Sequence, residues 1–523
     1  MKSKLANLHE PMAQSIICQI PENLDIETLI RSSRPDFSYK YDGFIYLIDL
    51  IMDQMSRIKV DKKSLSKHYV ALHSQSMKVI LGNYQLYLNY LVYNNIIEKN
   101  DSYQEGVSSK GYRLKEQYLT PTIEVKLSYK KLITKIKRFR IRYNEPATTK
   151  YPELIKWFNG LQIEYEPAMN WINEWYDSKT MTSNGKRKKT ISMKVIHKYN
   201  SYKRTILKVK EKDYSFLIDN SGYRLHTVLT NMKKDLRDYL KYNNKSLVCI
   251  DLSNSQPYLA QVLFNKAFYS SEKVSYDSKI KLTDLPLSIQ RRIKPEINGI
   301  INILTTSFKN PLEASTINSQ RNYTFKIVSM THFLHTGLEL DERLGYKHAI
   351  SAVEENGHYR VDIACDWLWY VEVVSNGTFY RYVGEAIKEH YPKSKVNPKK
   401  MALTAFFANN SEYHIGLEEN KNMFKELFPN VDLLFSSIKN NDHATMALLL
   451  QSIESEVFLN RIAQRISSER LDVPIFTIHD SICTTIENEA FVRSVMTKEL
   501  EASIGKRPKM KSEYLEIKWT TSH

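Results

Sequence analysis

Pro474-Ile475-Phe476-Thr477-Ile478-His479-Asp480-Ser481-Ile482-Cys483-Thr484-Thr485-Ile486 consists of two short β-prone runs around a polar turn. β-branched and aromatic residues on both sides of such a turn read as a hairpin with an acid at its tip. A second apolar run, Leu247-Val248-Cys249-Ile250, also ends in an acid, Asp251. Two strand-end carboxylates, far apart in sequence, suit a two-metal phosphoryl-transfer site if their strands adjoin. Two Mg²⁺ ions are the expected cofactors, because Mg²⁺ prefers oxygen ligands and keeps waters and phosphates in its shell; Mn²⁺ is the alternative ion.

Composition narrows the partner. The chain has 523 residues, which predicts two to four domains, and 42% of them are hydrophobic, enough to build real cores. Lys and Arg total 75 against 58 Asp and Glu, a formal charge of +17, which favours a polyanion and nucleic acid first. The 34 tyrosines interleave with basic residues, a mixture that can track phosphates while rings stack on bases, although most of them are expected simply to pack. Cys18, Cys249, Cys365 and Cys483 form no Cys-x-x-Cys. Neither a zinc knuckle nor a disulfide framework is expected of them, and Cys249 and Cys483 read as small buried strand residues. No run of 18 apolar residues and no signal-peptide pattern appears. The expectation is therefore no membrane and a cytoplasmic, reducing compartment.

Along the chain, residues 1–55 read as a helical region. There Leu24-Asp25-Ile26-Glu27-Thr28 imitates an exonuclease acid pair but lacks a preceding apolar strand. Residues 56–120 read as a winged-helix-like module: a helix over Tyr84–Val92, then strand, loop and strand, with Ser108-Ser109-Lys110 at the wing tip. Such a unit recruits DNA or a protein partner. Residues 121–215 are a basic helical region. Lys130, Lys131, Lys135, Lys137, Arg138, Arg140 and Arg142 alternate with Leu132, Ile133, Ile136 and Phe139, giving a basic face opposite an apolar stripe. A second basic run, Lys186-Arg187-Lys188-Lys189, follows the turn signal Asn184-Gly185. From 216 to 523 strand-like and helix-like segments alternate, and both acids lie there.

In that last region Asp251-Leu252-Ser253-Asn254-Ser255-Gln256-Pro257-Tyr258 and His479-Asp480-Ser481 resemble the first and third motifs of the family A DNA polymerases and their relatives, the single-subunit RNA polymerases. Lys395-x-x-x-Lys399-x-x-x-Leu403-x-x-x-Phe407 reproduces the period of the middle motif, with Lys395 in place of the usual Arg. Lys400 offers a register one residue later, against Ala408; Lys399 keeps Phe407 in phase. Gly222-Tyr223-Arg224-Leu225-His226, Arg237 and Gln451 resemble the segments that touch the primer-template minor groove. The resemblance covers roughly residues 216–495 and rests on order and spacing.

The resemblance implies an α+β fold: a right-hand polymerase of palm and fingers with residues 121–215 as thumb-like helices. It implies that Asp251, Asp480 and the backbone carbonyl of Leu252 hold the metals. Lys399 and Lys395 would bind the triphosphate, and Lys399 would protonate the leaving pyrophosphate. Phe407 would stack under the nascent pair, and Gln256 would occupy the sugar-discriminating position. Arg224, Arg237, Gln451 and His479 would position a primer-template duplex. Proofreading is not expected. Gln256, Phe407 and Ser481 depart from the commonest DNA-polymerase pattern, so dNTP and NTP both stand as substrates. A primase or RNA polymerase is the nearest alternative, and a non-catalytic DNA-binding replication or defence factor is the other. The lean, lysine-rich composition fits a phage or mobile-element protein. Asp362 and Asp366, at helical spacing, and His332 and His335 read as structural or solvated rather than as ligands.

Overall fold

A computed structural model describes residues 15–57, 69–100, 111–270 (except 183 and 189), 278–308, 324–327, 350–355, 358–363 and 366–517 (except 391, 393, 395 and 409–414). The chain mixes helix and sheet around two hydrophobic cores, one built from residues between Ile16 and Ile136, the other from residues between Ala147 and Leu515.

In the first core β1 (Ile17–Pro21) pairs antiparallel with β5 (Thr122–Lys126), and the helix Tyr41–Ser56 buries Phe44, Ile45, Leu47, Ile48 and Ile51 beneath them. β2 (Val70–Ala71), β3 (Ile97–Asn100) and β4 (Gly111–Leu114) form a sheet in the order β2-β4-β3. The helices Ser74–Leu81 and Tyr84–Tyr93 lie between β2 and β3 in the chain. Tyr84, Tyr87, Leu88 and Leu91 fall on one buried side of the second helix, as their spacing predicts. Ser108, Ser109 and Lys110 lie outside the described residues. Asp25 accepts from the Thr28 backbone N–H at 3.0 Å and caps the helix Ile26–Ser32; this is the work of a helix cap, not of a catalytic acid.

The helix Lys130–Lys150 joins the two cores. Leu132 and Ile136 enter the first and Ala147 the second. Lys130, Lys131, Lys135, Arg138 and Arg142 are exposed, while Arg140 pairs with Asp213 at 2.8 Å. The helices Tyr165–Thr180 and Met193–Lys210 follow. The connection between them turns at Gly185 (φ +70°) and leaves Lys186, Arg187 and Lys188 exposed. Arg204 and Lys208 of the second helix bind Asp49 and Asp53 of the first core at 2.7 and 2.6 Å.

The central sheet contains β6 (Leu161–Ile163), β9 (Leu240–Tyr242), β10 (Lys245–Leu252), β14 (Phe476–Ile478), β15 (Ser481–Thr485) and β16 (Met510–Leu515). Its order is β14-β15-β10-β9-β6, and β16 pairs with β10. All pairings are antiparallel, and Leu247–Asp251 of β10 is paired on both edges, with β15 and with β16. Leu247, Val248, Cys249 and Ile250 are all buried; a central strand covered on both faces reads as such a run rather than as an alternation. β7 (Leu217–Ile218) pairs with β8 (Leu225–His226). Between β10 and β14 the chain makes a largely helical excursion, including a small sheet of β11 (Thr324–Ile327), β12 (Ile350–Glu355) and β13 (His358–Ile363) in the order β11-β13-β12. His332, His335 and Cys365 lie outside the described residues. Asp366 is buried and accepts from the Asn430 and Val431 backbone N–H groups and from Asn430 Nδ2, a structural tie between helices.

One expectation is overturned. Cys249 and Cys483 stand directly opposite each other across β10 and β15 and are joined as a disulfide. Their separation of 234 residues hid the pairing, because cross-strand register cannot be read from linear spacing.

Candidate active site

β10 and β15 bring the two acids to one end of the central sheet. The register sets Asp251 opposite Ser481, and the Leu252 N–H donates to the Asp480 carbonyl at 3.2 Å. Ile478 pairs with Ser481, so His479 and Asp480 form the two-residue turn of the β14–β15 hairpin, with His479 at φ +55°. Asn254 (φ +54°) turns the chain from β10 into the helix Ser255–Leu259, and Tyr223 (φ +59°) lies just before β8. Left-handed backbone at Tyr and His is uncommon, and such residues gather where a site constrains them.

The electrostatics are those of two acids sharing a cleft. Asp251 is exposed as a residue, yet desolvation of its carboxyl first, then Asp480 and Glu513, lift it to about 6. Lys234 and Lys511 offset this only in part. Burial also raises Asp480, against the opposing effects of its backbone, Ser255, Arg224 and Arg237. The Ser255 hydroxyl lies near enough to Asp480 to ease its charge, but outside hydrogen-bond geometry. Two carboxyls raised by burial, one of them also by the other, suit a divalent cation, which would relieve both. Among the described residues no group of three or more His, Cys, Asp or Glu forms a metal-holding cluster, so a shell at Asp251 and Asp480 would need oxygens from backbone, water or substrate.

Arg224 does not stand free. Its Nε and Nη2 donate to Glu454 at 2.9 and 2.7 Å, and Gln256 Nε2 donates to the same carboxylate at 2.8 Å. Glu454 is 2% exposed on the helix Ala444–Ser455. Burial lifts it to about 7 despite Arg224. Gln451 lies one turn earlier, close against Gly222: a Cβ on that glycine would fall 2.5 Å from Gln451 Oε1. Asp219 accepts from the Ser221 and Gly222 backbone N–H groups at 2.9 and 2.6 Å and contacts His226 Nε2 at 3.0 Å. Against the opposing effect of burial, these bonds hold it down to about 2. Burial, then the charges of Arg224, His226 and Arg237, push His479 down to about 4, so its imidazole is neutral at pH 7. Arg237 is half-buried and faces Glu513, Asp251 and Asp480.

Lys399 is exposed near the start of the helix Pro398–Phe407, its Nζ 5.8 Å from the centre of the Tyr380 ring. Burial raises the Tyr380 phenol, and Asp480 raises it further. Lys399 thus lies beside Tyr380, whose phenol feels the charge of Asp480. Leu403 is exposed and Phe407 half-buried on the same helix, while Phe406 points into the core. Lys395 lies outside the described residues.

Among the described residues, six buried polar atoms around this cleft have no hydrogen-bond partner: Arg237 Nε, Ser253 Oγ, Asn254 Nδ2, Ser255 Oγ, Gln256 Oε1 and His479 Nδ1. Buried groups of this kind are ordinarily met by ordered water, an ion or a ligand. The sequence reading missed Glu454, Tyr380, Asp219 and Glu513. Glu454 carried a signal: an acid directly after Leu448-Leu449-Leu450-Gln451-Ser452-Ile453, on the same helix, must find a partner when buried.

No protein-family model and no curated protein matches the chain. Among solved structures, it is similar to the POL domain of Pol1 from M. smegmatis in complex with DNA primer-template and dNTP, at 10% identity over 73% of each chain and a TM-score of 0.26.

Proposed function

We propose that this protein is a template-dependent nucleotidyltransferase, a DNA polymerase that extends a primer without proofreading, on a right-hand scaffold. The observation that supports the reading is the register of β10 on β15, which brings Asp251 and Asp480 to one end of a sheet. Two Mg²⁺ ions at Asp251, Asp480 and the Leu252 carbonyl would supply activation of the attacking hydroxyl and neutralisation of the triphosphate. Lys399 binds the triphosphate and hands a proton to the departing pyrophosphate. Lys395 assists it, and Phe407 stacks under the nascent pair. His479, neutral, and Gln451 hold the primer end without adding charge there. Arg224 uses the N–H groups that Glu454 leaves free, and Arg237 sits beside the acids. The helix Lys130–Lys150 and the exposed run Lys186–Lys188 grip the duplex phosphates as a thumb. The β2–β4 unit, read as a winged helix, recruits DNA or a partner protein.

Primer extension by the full chain with Mg²⁺ tests the proposal. Incorporation of dNTPs is expected, lost in Asp251→Ala and in Asp480→Ala while circular dichroism shows both folded. Incorporation that persists in either variant would falsify the assignment. NTP incorporation without a primer would instead identify a primase or RNA polymerase. Salt-sensitive duplex binding with no incorporation on any template would identify a binding factor.

A further inference from the structure

We propose that Lys439 is a positioning residue for the incoming nucleotide: it holds the end of the helix Pro398–Phe407 from within the core, and with it the Phe407 ring. The proposal rests on the nucleotidyl-transfer reading and adds to it a buried cation that acts through another residue.

The helix carries Lys399 in its first turn and Phe407 in its last. At its start, Asn397 Oδ1 accepts from the backbone N–H groups of Lys399 and Lys400 at 2.9 and 3.3 Å. At its end, the Ala408 N–H donates to the Thr404 carbonyl at 3.0 Å and the chain turns extended at Ala408 (φ −76°, ψ 149°). Carbonyls after Thr404 therefore have no donor within the helix. Lys439, directly after the helix Pro429–Ile438, supplies one: its Nζ donates to the Ala405 carbonyl at 2.5 Å and to the Ala408 carbonyl at 3.3 Å. These two carbonyls bracket Phe407. Lys439 is 3% exposed, and an ammonium is costly to bury unless its surroundings are negative. The C-terminal end of a helix is negative. Burial, with Lys421 beside it and Asp432 opposing, brings the Lys439 ammonium down to about 8, so its charge persists at pH 7. A hydrogen bond from such a donor is about twice as strong as a neutral one. Beside it Phe406 packs on Phe435, ring centres 4.8 Å apart. One contact sets the rotation of the helix and the other its end. Phe407, about 100° further round, is thereby aimed at the half-buried side.

The test compares the full chain as wild type, Lys439→Met, which keeps the length of the side chain and removes its charge and donors, and Lys439→Arg, which keeps both. Hydrogen exchange over residues 398–408, read by mass spectrometry, should quicken about tenfold or more in Lys439→Met, while Lys245–Leu252 and Ser481–Thr485 exchange as in the wild type. In single-nucleotide extension with Mg²⁺ its KM for dNTP should rise about tenfold, the worth of a charge-assisted hydrogen bond, with kcat and duplex affinity changed by less than about twofold. Lys439→Arg should lie closer to the wild type in both readouts. A merely structural Lys439 would quicken exchange throughout the chain and weaken duplex and nucleotide alike. That outcome overturns the proposal, as does an unchanged KM for dNTP or unchanged exchange over 398–408. If Lys439→Met does not fold, Lys439→Gln, which keeps a neutral donor, is read in its place by the same criteria. A wild type that incorporates nothing overturns nucleotidyl transfer; titration of dNTP with Mg²⁺ onto the same proteins then decides for Lys439, and equal affinities overturn its role.

Discussion

Neutralising Glu454 should stabilise this protein above pH 7 and leave it unchanged below about pH 5. Burial lifts the Glu454 carboxyl from 4.5 to about 7 even with Arg224 bound to it. The folded chain therefore holds a proton there that the unfolded chain has released. A raised folded pKa contributes stability that is fully present below the unfolded value and is lost as pH rises through the folded one. The window is thus pH 4.5 to 7, and stability falls across it by about 3 kcal/mol, the 2.5-unit difference at 1.36 kcal/mol each. Asp251 and Asp480 shift the same way, but Asp251 is too exposed to convert into an energy. Glu454→Gln keeps the volume and removes the proton. Thermal midpoints of wild type and variant, taken from pH 5 to 8.5 at constant ionic strength, should coincide at the acid end. They should then separate with rising pH until the variant leads by about 3–6 °C, taking ~1–2 °C per kcal/mol for a unit this large. Two parallel curves, or a variant that falls below the wild type above pH 7, would refute the reasoning.

Three further outcomes are expected. At pH 8, Mg²⁺ should raise the thermal midpoint of the wild type, by the equivalent of ~2.7 kcal/mol at a hundredfold excess over its dissociation constant, and should not raise that of Asp251→Asn. Glu at Lys130, Lys131 and Lys135 together should weaken duplex binding and reduce the slope of log affinity against log salt by about 2–3, read by titration at several salt concentrations. Gly222→Ala places a methyl 2.5 Å from Gln451 Oε1 and 2.8 Å from its Cβ, so extension should fall by tenfold or more while stability drops by about 1–3 kcal/mol, measured by urea unfolding.

The elements that carry the acids were legible because each is local. Apolar runs ending at Asp251 and breaking at His479-Asp480 announce a strand end and a hairpin whatever surrounds them, and the four-residue period of Lys399, Leu403 and Phe407 announces a helix face. The amphipathic pattern from Lys130 to Arg142 was equally plain, within a helix that runs on to Lys150. What stayed hidden depends on pairing across the fold. Cys249 reads as a small strand residue until β15 is set beside it. Arg224 reads as a free cation until the helix bearing Glu454 arrives, 230 residues later. Tyr380 acquires meaning only where its helix meets the one that carries Lys399. No periodicity encodes any of these contacts.

The pairing of β10 has a consequence for synthesis. Both edges of its acid-bearing half are filled by strands more than two hundred residues further on, β15 at Ser481–Thr485 and β16 at Met510–Leu515. A ribosome that has just released β10 must make more than two hundred further residues before either neighbour exists, a wait of about ten to fifty seconds at typical elongation rates. Until then a strongly apolar strand has neither of these partners, the kind of edge that aggregates. The same order acts as a safeguard: a chain terminated before residue 476 lacks Asp480 and cannot assemble the acid pair at all. Assembly of the cleft thus reports that translation has passed Leu515.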